Sequence, residues 1–326
     1  MMDWTDRHCR VFHRQITRHA WLYTEMVTTG ALLHGDVSRH LDFDSVEQPV
    51  ALQLGGSEPA ELAQSARLGE RWGYGEINLN CGCPSERVQR GAFGACLMAE
   101  PQLVGDCVKA MLDAVSVPVT VKHRIGIDSG AGAGSRSGRG GSEDYGFVRD
   151  FVGILADAGC KTFIVHARSA WLKGLSPKEN REVPPLRYET VYRIKRDFPG
   201  LEIVLNGGLA EAEEIAGALE HVDGVMLGRE AYHNPYALAQ VDSRWYGDAR
   251  AAPTRAQVVD AMIEYASKQI SRGVPLRAIA RHMLGLYQGR PGARAWRRHL
   301  SDSRALQGAD ARLLRQAMQH VESAGE

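Results

Sequence analysis

The chain contains no run of eighteen apolar residues, and that absence excludes a helical membrane span on hydropathy grounds. Its first residues lack the charged, apolar and small-residue succession of a secretory signal, so secretion is unsupported and the cytoplasm is the expected compartment. Cysteine is sparse: Cys9, Cys81, Cys83, Cys96, Cys107 and Cys160 are scattered over 326 positions, which favours reduced thiols over a disulfide framework. Net charge is absent as well, with 39 Lys and Arg against 39 Asp and Glu, so any polyanionic partner has to be met by a local basic patch. One stretch lacks a sign of charge altogether. From Ile270 to Ser301 there is no Asp or Glu, yet Arg272, Arg277, Arg281, Arg290, Arg294, Arg297 and Arg298 are present, with Tyr287 and Trp296 between them. Arginine interleaved with aromatics suits phosphate backbones and stacked bases. The alternative is a solvated cationic helix face, although such faces usually mix signs.

What the chain has is length and apolar content, 326 residues at 44%, enough for one large domain and a smaller one. Short β-branched runs at 22–27, 49–54, 76–81, 118–124, 162–168, 202–206 and 224–227 alternate with amphipathic stretches at 59–72, 101–115, 145–158, 188–198 and 210–219. Such alternation predicts β/α units around a parallel sheet, and the expected fold is α/β, a (β/α)8 TIM barrel. The pattern supplies seven strands and the barrel needs one more. Met1-Met-Asp-Trp-Thr-Asp6 reads as a loop entering a helix over 6–17, so the first strand is expected to be truncated, its residues belonging upstream of Met1. Past Arg229 only helical pattern continues, at 254–271, 275–287, 293–300 and 309–323. The expected organisation is a barrel domain over 1–240 and a helical domain over 241–326. Residues 129–142 are Gly, Ala, Ser and Arg alone; with no apolar area to bury, they are expected to form a mobile loop of no assigned role.

Polar side chains gather where the predicted strands end: Glu25, Gln53, Asn80, Lys122, His166, Arg168, Asn206 and Arg229. In a parallel barrel that rim carries the active site. Asn206-Gly207-Gly208 and Gly228-Arg229 close the last two strands, the positions at which barrels bind a cofactor phosphate through exposed amides, a helix start and a cation. Lys122 suits an electron-accepting ring that becomes anionic, His166 a phosphate or ring, and Gln53 a planar heterocycle. Cys81, Cys83 and Cys96 lack the paired Cys-x-x-Cys spacing of a closed zinc centre and have no neighbouring histidine, so no metal is expected. A thiol with an ordinary pKa of about 8.5 is mostly protonated at neutral pH, which leaves Cys96 as a candidate general acid.

Asp3-Trp-Thr-Asp-Arg-His8, Tyr23-Thr-Glu-Met-Val-Thr-Thr-Gly30, Asn78-Leu-Asn-Cys-Gly-Cys-Pro-Ser85, Gly94-Ala-Cys-Leu-Met98, Val121-Lys-His-Arg-Ile-Gly126, Leu175-Ser-Pro-Lys-Glu-Asn-Arg-Glu-Val-Pro-Pro-Leu186 and His282-Met-Leu-Gly-Leu-Tyr-Gln-Gly289 closely resemble the tRNA-dihydrouridine synthases of the bacterial A-type branch, over nearly the whole chain. The resemblance implies an FMN-containing β/α barrel with a C-terminal helical domain. It also implies an NADPH-dependent reduction of the C5=C6 bond of uridines 20 and 20a in the tRNA D-loop, with hydride passing from flavin N5 to C6. By motif, Cys96 matches the catalytic cysteine that protonates C5, and Gln53, Lys122, His166, Asn206, Gly207, Gly208, Gly228 and Arg229 match FMN contacts. Met1 and Met2 are what remains of the segment lining the flavin. Phe93, Lys178, Arg181, Arg294 and Arg297 fall where the family touches tRNA, and Asn80 and Arg168 are added as uracil-holding groups. A monomer is expected. The alternative is an FMN barrel that reduces a free pyrimidine or a small enone, which the arginine-rich helical region argues against because a small substrate needs no polyanion surface. A tRNA-binding protein without catalysis is a further reading, opposed by the intact Cys96.

Overall fold

The structure, a computed structural model, describes residues 3–128 and 145–322. Met1, Met2 and the segment 129–142, for which the sequence predicts a flavin-lining role and a mobile loop, lie outside the described residues. The strands are β1 (Leu22–Thr28), β2 (Val50–Gly55), β3 (Glu76–Cys81), β4 (Val119–Arg124), β5 (Ile127–Asp128), β6 (Thr162–His166), β7 (Ala170–Trp171), β8 (Glu202–Asn206) and β9 (Gly224–Met226). Seven of them form the main sheet in the order β1-β2-β3-β4-β6-β8-β9, and β5 pairs with β7 beside it. The pairs from β2 onward are parallel. With the helices Pro59–Trp72, Pro101–Leu112, Tyr145–Asp157 and Tyr188–Asp197 at the crossovers, this is the repeat of the (β/α)8 TIM-barrel type.

The sequence dictates this pattern through burial. β2 reads Val-Ala-Leu-Gln-Leu-Gly and is buried at all six positions, the near-continuous apolar run of a parallel strand covered on both faces. A glutamine there has to be hydrogen-bonded. The helix Pro59–Trp72 starts with proline in its first turn and stops at left-handed Gly73, the expected asymmetry of helix ends.

Contacts divide the chain into two compact units, one made of Met26–Asp42 with Val50–Leu227 and the other of Met1–Glu25, Phe43–Pro49 and Gly228–Glu326. In the second, the helix Arg7–Arg14 is capped by Asp6, which accepts from the Cys9 amide at 3.0 Å. Its Arg10 pairs with the fully buried Glu47 at 2.5 Å. The helix Arg255–Ile270 opens with a reciprocal Thr254–Gln257 capping box, and Arg312–Glu322 packs against both it and Ala293–Ser301.

The helix predicted over 275–287 is short, Leu276–Ala280. Beyond it the amides of Met283, Leu286 and Gln288 each reach back only three residues, to Ala280, Met283 and Gly285. Two features hold this path. A Cβ on Gly285 would stand 2.3 Å from the His233 carbonyl oxygen, and the Met283 carbonyl is taken by the Trp296 indole at 3.0 Å. Trp296 is wholly buried and meets Tyr287 edge-on at 4.9 Å. The two aromatics interleaved with the arginines are therefore core residues rather than stacking platforms. Among the described residues no helix is long and apolar enough to cross a membrane.

Candidate active site

A chain of hydrogen bonds crosses the sheet toward the ends of β2, β3 and β4. The Thr120 hydroxyl donates to Glu76 (2.6 Å), the Asn78 amide to Thr120 (2.7 Å), the Gln53 amide to Asn78 (2.8 Å) and the Asn80 amide to the Gln53 carbonyl oxygen (2.9 Å). Asn80 Oδ1 then accepts the amides of Gly82 and Cys83, both at 3.0 Å. Every link points the same way, so Gln53 is held with one amide hydrogen and one carbonyl lone pair already committed, and a half-satisfied buried network is avoided. Asn80 itself is occupied in shaping the Gly82–Cys83 turn.

That turn leads to Cys96. After the short helix Glu86–Arg90 the backbone folds back, and the Ala95 amide donates to the Cys83 carbonyl at 2.9 Å. Gly94, at φ +77, makes this closure; a Cβ there would lie 2.5 Å from Val88 Cγ1 and 2.6 Å from the Cys83 carbonyl oxygen. Phe93 precedes it and its carbonyl accepts the Cys96 thiol at 3.1 Å. The Phe93 ring closes over β2, 3.0 Å from where a Cβ of Gly55 would be. Burial raises the Cys96 pKa above its ordinary value, while its own amide and that of Leu97 favour the thiolate. The thiol is thus protonated at neutral pH and half-exposed, in a loop equipped to receive the negative charge once the proton leaves. Cys81 is fully buried, with its pKa driven well up by burial. The three cysteines form no metal-holding group among the described residues; the group with ligand atoms close enough is His19, Asp242 and Asp248, in which Asp248 already pairs with His19, Arg18 and Arg250.

On β4, β6 and β8, Arg124, His166 and Asn206 stand in register. Lys122 donates to Asn206 Oδ1 at 3.1 Å, and Asn206 donates to the Met226 carbonyl at 2.7 Å. Burial, with the Arg124 cation adding to it, lowers the Lys122 pKa to about 8. An anionic group placed beside it would raise that pKa again. Gly207 and Gly208 follow at φ +120 and +78, and Cβ atoms on them would fall 2.6 Å from His166 Cδ2 and 2.5 Å from Leu186 Cδ1. The pair therefore brings backbone against His166 and Leu186 more closely than a side chain would allow, with the buried Gly207 carbonyl accepting the Tyr188 hydroxyl at 2.7 Å. A phosphate-bearing planar cofactor fits these groups: an oriented amide at Gln53, a cation at Lys122, an imidazole at His166 and exposed backbone at Gly208.

The same strand ends carry further cations. Arg124 is almost fully buried and donates to the carbonyls of Gly82 (3.1 Å), Ser169 (3.2 Å) and Asn180 (2.8 Å). Burial lowers its pKa to about 10, with Arg181 and Arg168 adding to the effect and Cys83 opposing it. Arg168 grips the carbonyls of Glu182 and Pro184. Lys178 and Arg181 flank Asn180, which is fully buried and bonds both the amide and the carbonyl of Trp171, at 2.8 and 2.9 Å. Sequence reasoning missed Asn78, Thr120, Glu76, Arg124 and Asn180. Only the polar positions inside apolar strands hinted at the first three.

The remaining candidates belong to the other unit. Gly228 precedes the helix Arg229–His233, and Arg294 and Arg297 lie on Ala293–Ser301 with Arg294 exposed. Arg297 donates to Gln288 at 3.0 Å.

The family model described as Dihydrouridine synthase (Dus) matches residues 1–322. The tRNA-dihydrouridine(20/20a) synthase of Synechocystis sp. is 54% identical over 319 residues, covering 98% of this chain and 92% of that protein. The proteins of the same name from Escherichia coli K12 and Vibrio parahaemolyticus are 55% and 52% identical over 322 residues, covering 98% of this chain and 90% and 95% of theirs. With similarity of this extent, the chain belongs to the dihydrouridine synthase family.

Proposed function

We propose that this oxidoreductase is a tRNA-dihydrouridine(20/20a) synthase, using FMN and NADPH to reduce the C5=C6 bond of D-loop uridines 20 and 20a. The observation that carries the reading is the Cys96 loop, a protonated thiol at the strand-end rim, hydrogen-bonded to the Phe93 carbonyl at 3.1 Å and backed by amides that favour its thiolate. Relatives of that name match along 98% of the chain.

Gln53, Lys122, His166, Asn206, Gly207 and Gly208 hold FMN, and the contacts carried over by resemblance to Gly228, Arg229, Met1 and Met2 complete the set. When bound, FMN supplies the hydride for uracil C6, drawn from NADPH. Gln53 enters with its amide orientation fixed by Asn78 and Asn80. Lys122 offsets negative charge on the bound group, a role its depressed pKa of about 8 makes sensitive to an anion nearby. Asn80 and Arg168 frame the place of the uracil. Cys96 Sγ gives its proton to C5, and the Cys96 and Leu97 amides take up the thiolate charge. Phe93, Lys178, Arg181, Arg294 and Arg297 contact the tRNA, the last two within the helical domain assigned to 241–326, which follows in sequence the catalytic domain assigned to 1–240. The enzyme works as a monomer in the cytoplasm.

Cys96→Ala tests the assignment. Loss of a positioned general acid typically costs about 10²–10⁴-fold in rate, so dihydrouridine formation should drop by that factor while flavin content and tRNA affinity stay at wild-type levels. Full activity in the variant would remove Cys96 as the acid.

A further inference from the structure

The motif His282-Met-Leu-Gly-Leu-Tyr-Gln-Gly289 has no part in the chemistry above, yet it builds one wall of a cleft. Its volume is about 640 Å³, and its lining includes Tyr232, His233, Asn234, Arg281, Gln288 and Arg297, with one carboxylate, Glu230, among them. Clefts of roughly 300–1,000 Å³ are the size that takes up small ligands. The floor forms because Gly285 lets its strand of chain touch the 233–235 turn: any Cβ would collide with the His233 carbonyl oxygen at 2.3 Å and Pro235 Cδ at 2.7 Å.

The walls are rigid where an aromatic surface is needed. Tyr232 stacks on Trp4, centroids 4.6 Å apart and planes 22° from parallel, and its hydroxyl meets His282 Nδ1 at 3.2 Å. His282 Nε2 lies 3.0 Å from Asp6, which also pairs with Arg281 at 2.5 Å. Burial acts against the Asp6 carboxylate, but His282, the Cys9 amide and Arg281 hold its pKa well below the usual range, so Arg281 keeps an ionised partner behind it. Arg297 has none among the described residues: its guanidinium donates only to the neutral Gln288 amide, at 3.0 Å. The exposed His233 ring sits edge-on to Trp4 at 5.3 Å. Asn234 and Gln288 supply amides, Asn234 donating to Glu230 at 2.7 Å. Aromatic faces, amides that read base edges and an uncompensated arginine for the phosphate are the elements by which proteins hold unpaired RNA nucleotides.

We propose that this cleft binds one unpaired nucleotide of the substrate tRNA, a nucleotide other than the uridine being reduced. The inference rests on the tRNA reading of the function. The shared chemistry is a nucleotide, and the reductant's own nucleotide is the other source.

The test uses the full-length FMN-loaded enzyme with exposed residues changed, His233→Ala with Gln288→Ala, and separately Arg297→Lys, which keeps the charge and loses the planar fork. Affinity for an unmodified tRNA transcript, dihydrouridine at each D-loop position and the KM for NADPH are measured. The expected result is a tenfold or larger rise in transcript Kd for the double variant and a smaller rise for Arg297→Lys, with KM for NADPH unchanged. Unchanged transcript Kd overturns the inference, as does a raised KM for NADPH with unchanged tRNA binding, which would assign the cleft to the reductant. A wild-type enzyme that binds the transcript but forms no dihydrouridine overturns the catalytic reading alone; the cleft is still judged by the ratio of Kd values.

Discussion

Replacing Gly94 by alanine perturbs the loop that aims Cys96 and leaves the thiol itself in place. At φ +77 an alanine occupies the left-handed region, and its Cβ would stand 2.5 Å from Val88 Cγ1 and 2.6 Å from the Cys83 carbonyl oxygen. Val88 is buried and cannot swing into solvent, and the Cys83 carbonyl is fixed by the Ala95 amide at 2.9 Å. Left-handed strain in a non-glycine residue costs about 1–3 kcal/mol, and overpacking adds about 1–3 kcal/mol. The loop escapes that cost more cheaply by moving than the whole chain does by unfolding, since total stability is on the order of 5–15 kcal/mol. The Ala95–Cys83 bond should break and Cys96 should shift, and a displacement of about 1 Å can cost about 10²-fold in rate. Single-turnover dihydrouridine formation with saturating tRNA, together with the melting temperature and flavin content, reads the effect. The expectation is a loss of about 10²-fold in rate, a modest fall in Tm and retained flavin. A rate within twofold of wild type would refute the claim that Gly94 closure positions the acid.

Lys122→Met should separate stability from flavin binding. The lysine holds its proton less tightly when folded, near 8, than at its ordinary 10.5, so the flavin-free chain should gain stability as pH rises from 8 to 10.5 and lack up to about 3 kcal/mol below pH 8. Solvent reaching the partly exposed side chain reduces that figure. Urea unfolding of the flavin-free variant should show this pH slope removed, while its FMN affinity falls; a variant that keeps both the slope and the affinity would count against a buried cation awaiting an anion. Arg294→Ala with Arg297→Ala should weaken tRNA binding and reduce the slope of log K against log salt by about 1 for each phosphate no longer neutralised. An unchanged slope in a filter-binding titration would return these residues to an ordinary solvated face.

The main sheet was legible because parallel strands covered on both faces carry runs such as Val-Ala-Leu-Gln-Leu that a solvated segment does not. Predicted and observed strand ends differ by no more than two residues. β5 and β7 escaped, since two residues have no period. The helix expected over 275–287 failed for a tertiary reason: apolar spacing continues past Ala280, but the backbone is drawn off by the close approach of Gly285 to His233 and by the Trp296 indole. At the site, residue identities were readable from their positions at strand ends. Their partners were not. Nothing in the local sequence says that Gln53 is oriented by Asn78 and Asn80, or that Asn180 secures Arg124 across 56 residues of chain, because such pairings exist only once distant strands and loops have been assembled.

The account turns on which bonds the protein reduces, and tRNA read directly by mass at each D-loop uridine tests it. The tRNA from a strain lacking this gene should lose dihydrouridine at positions 20 and 20a and regain it when the purified, FMN-loaded protein is added with NADPH. Dihydrouridine persisting at both positions without the gene, and none formed by the protein, would contradict the account.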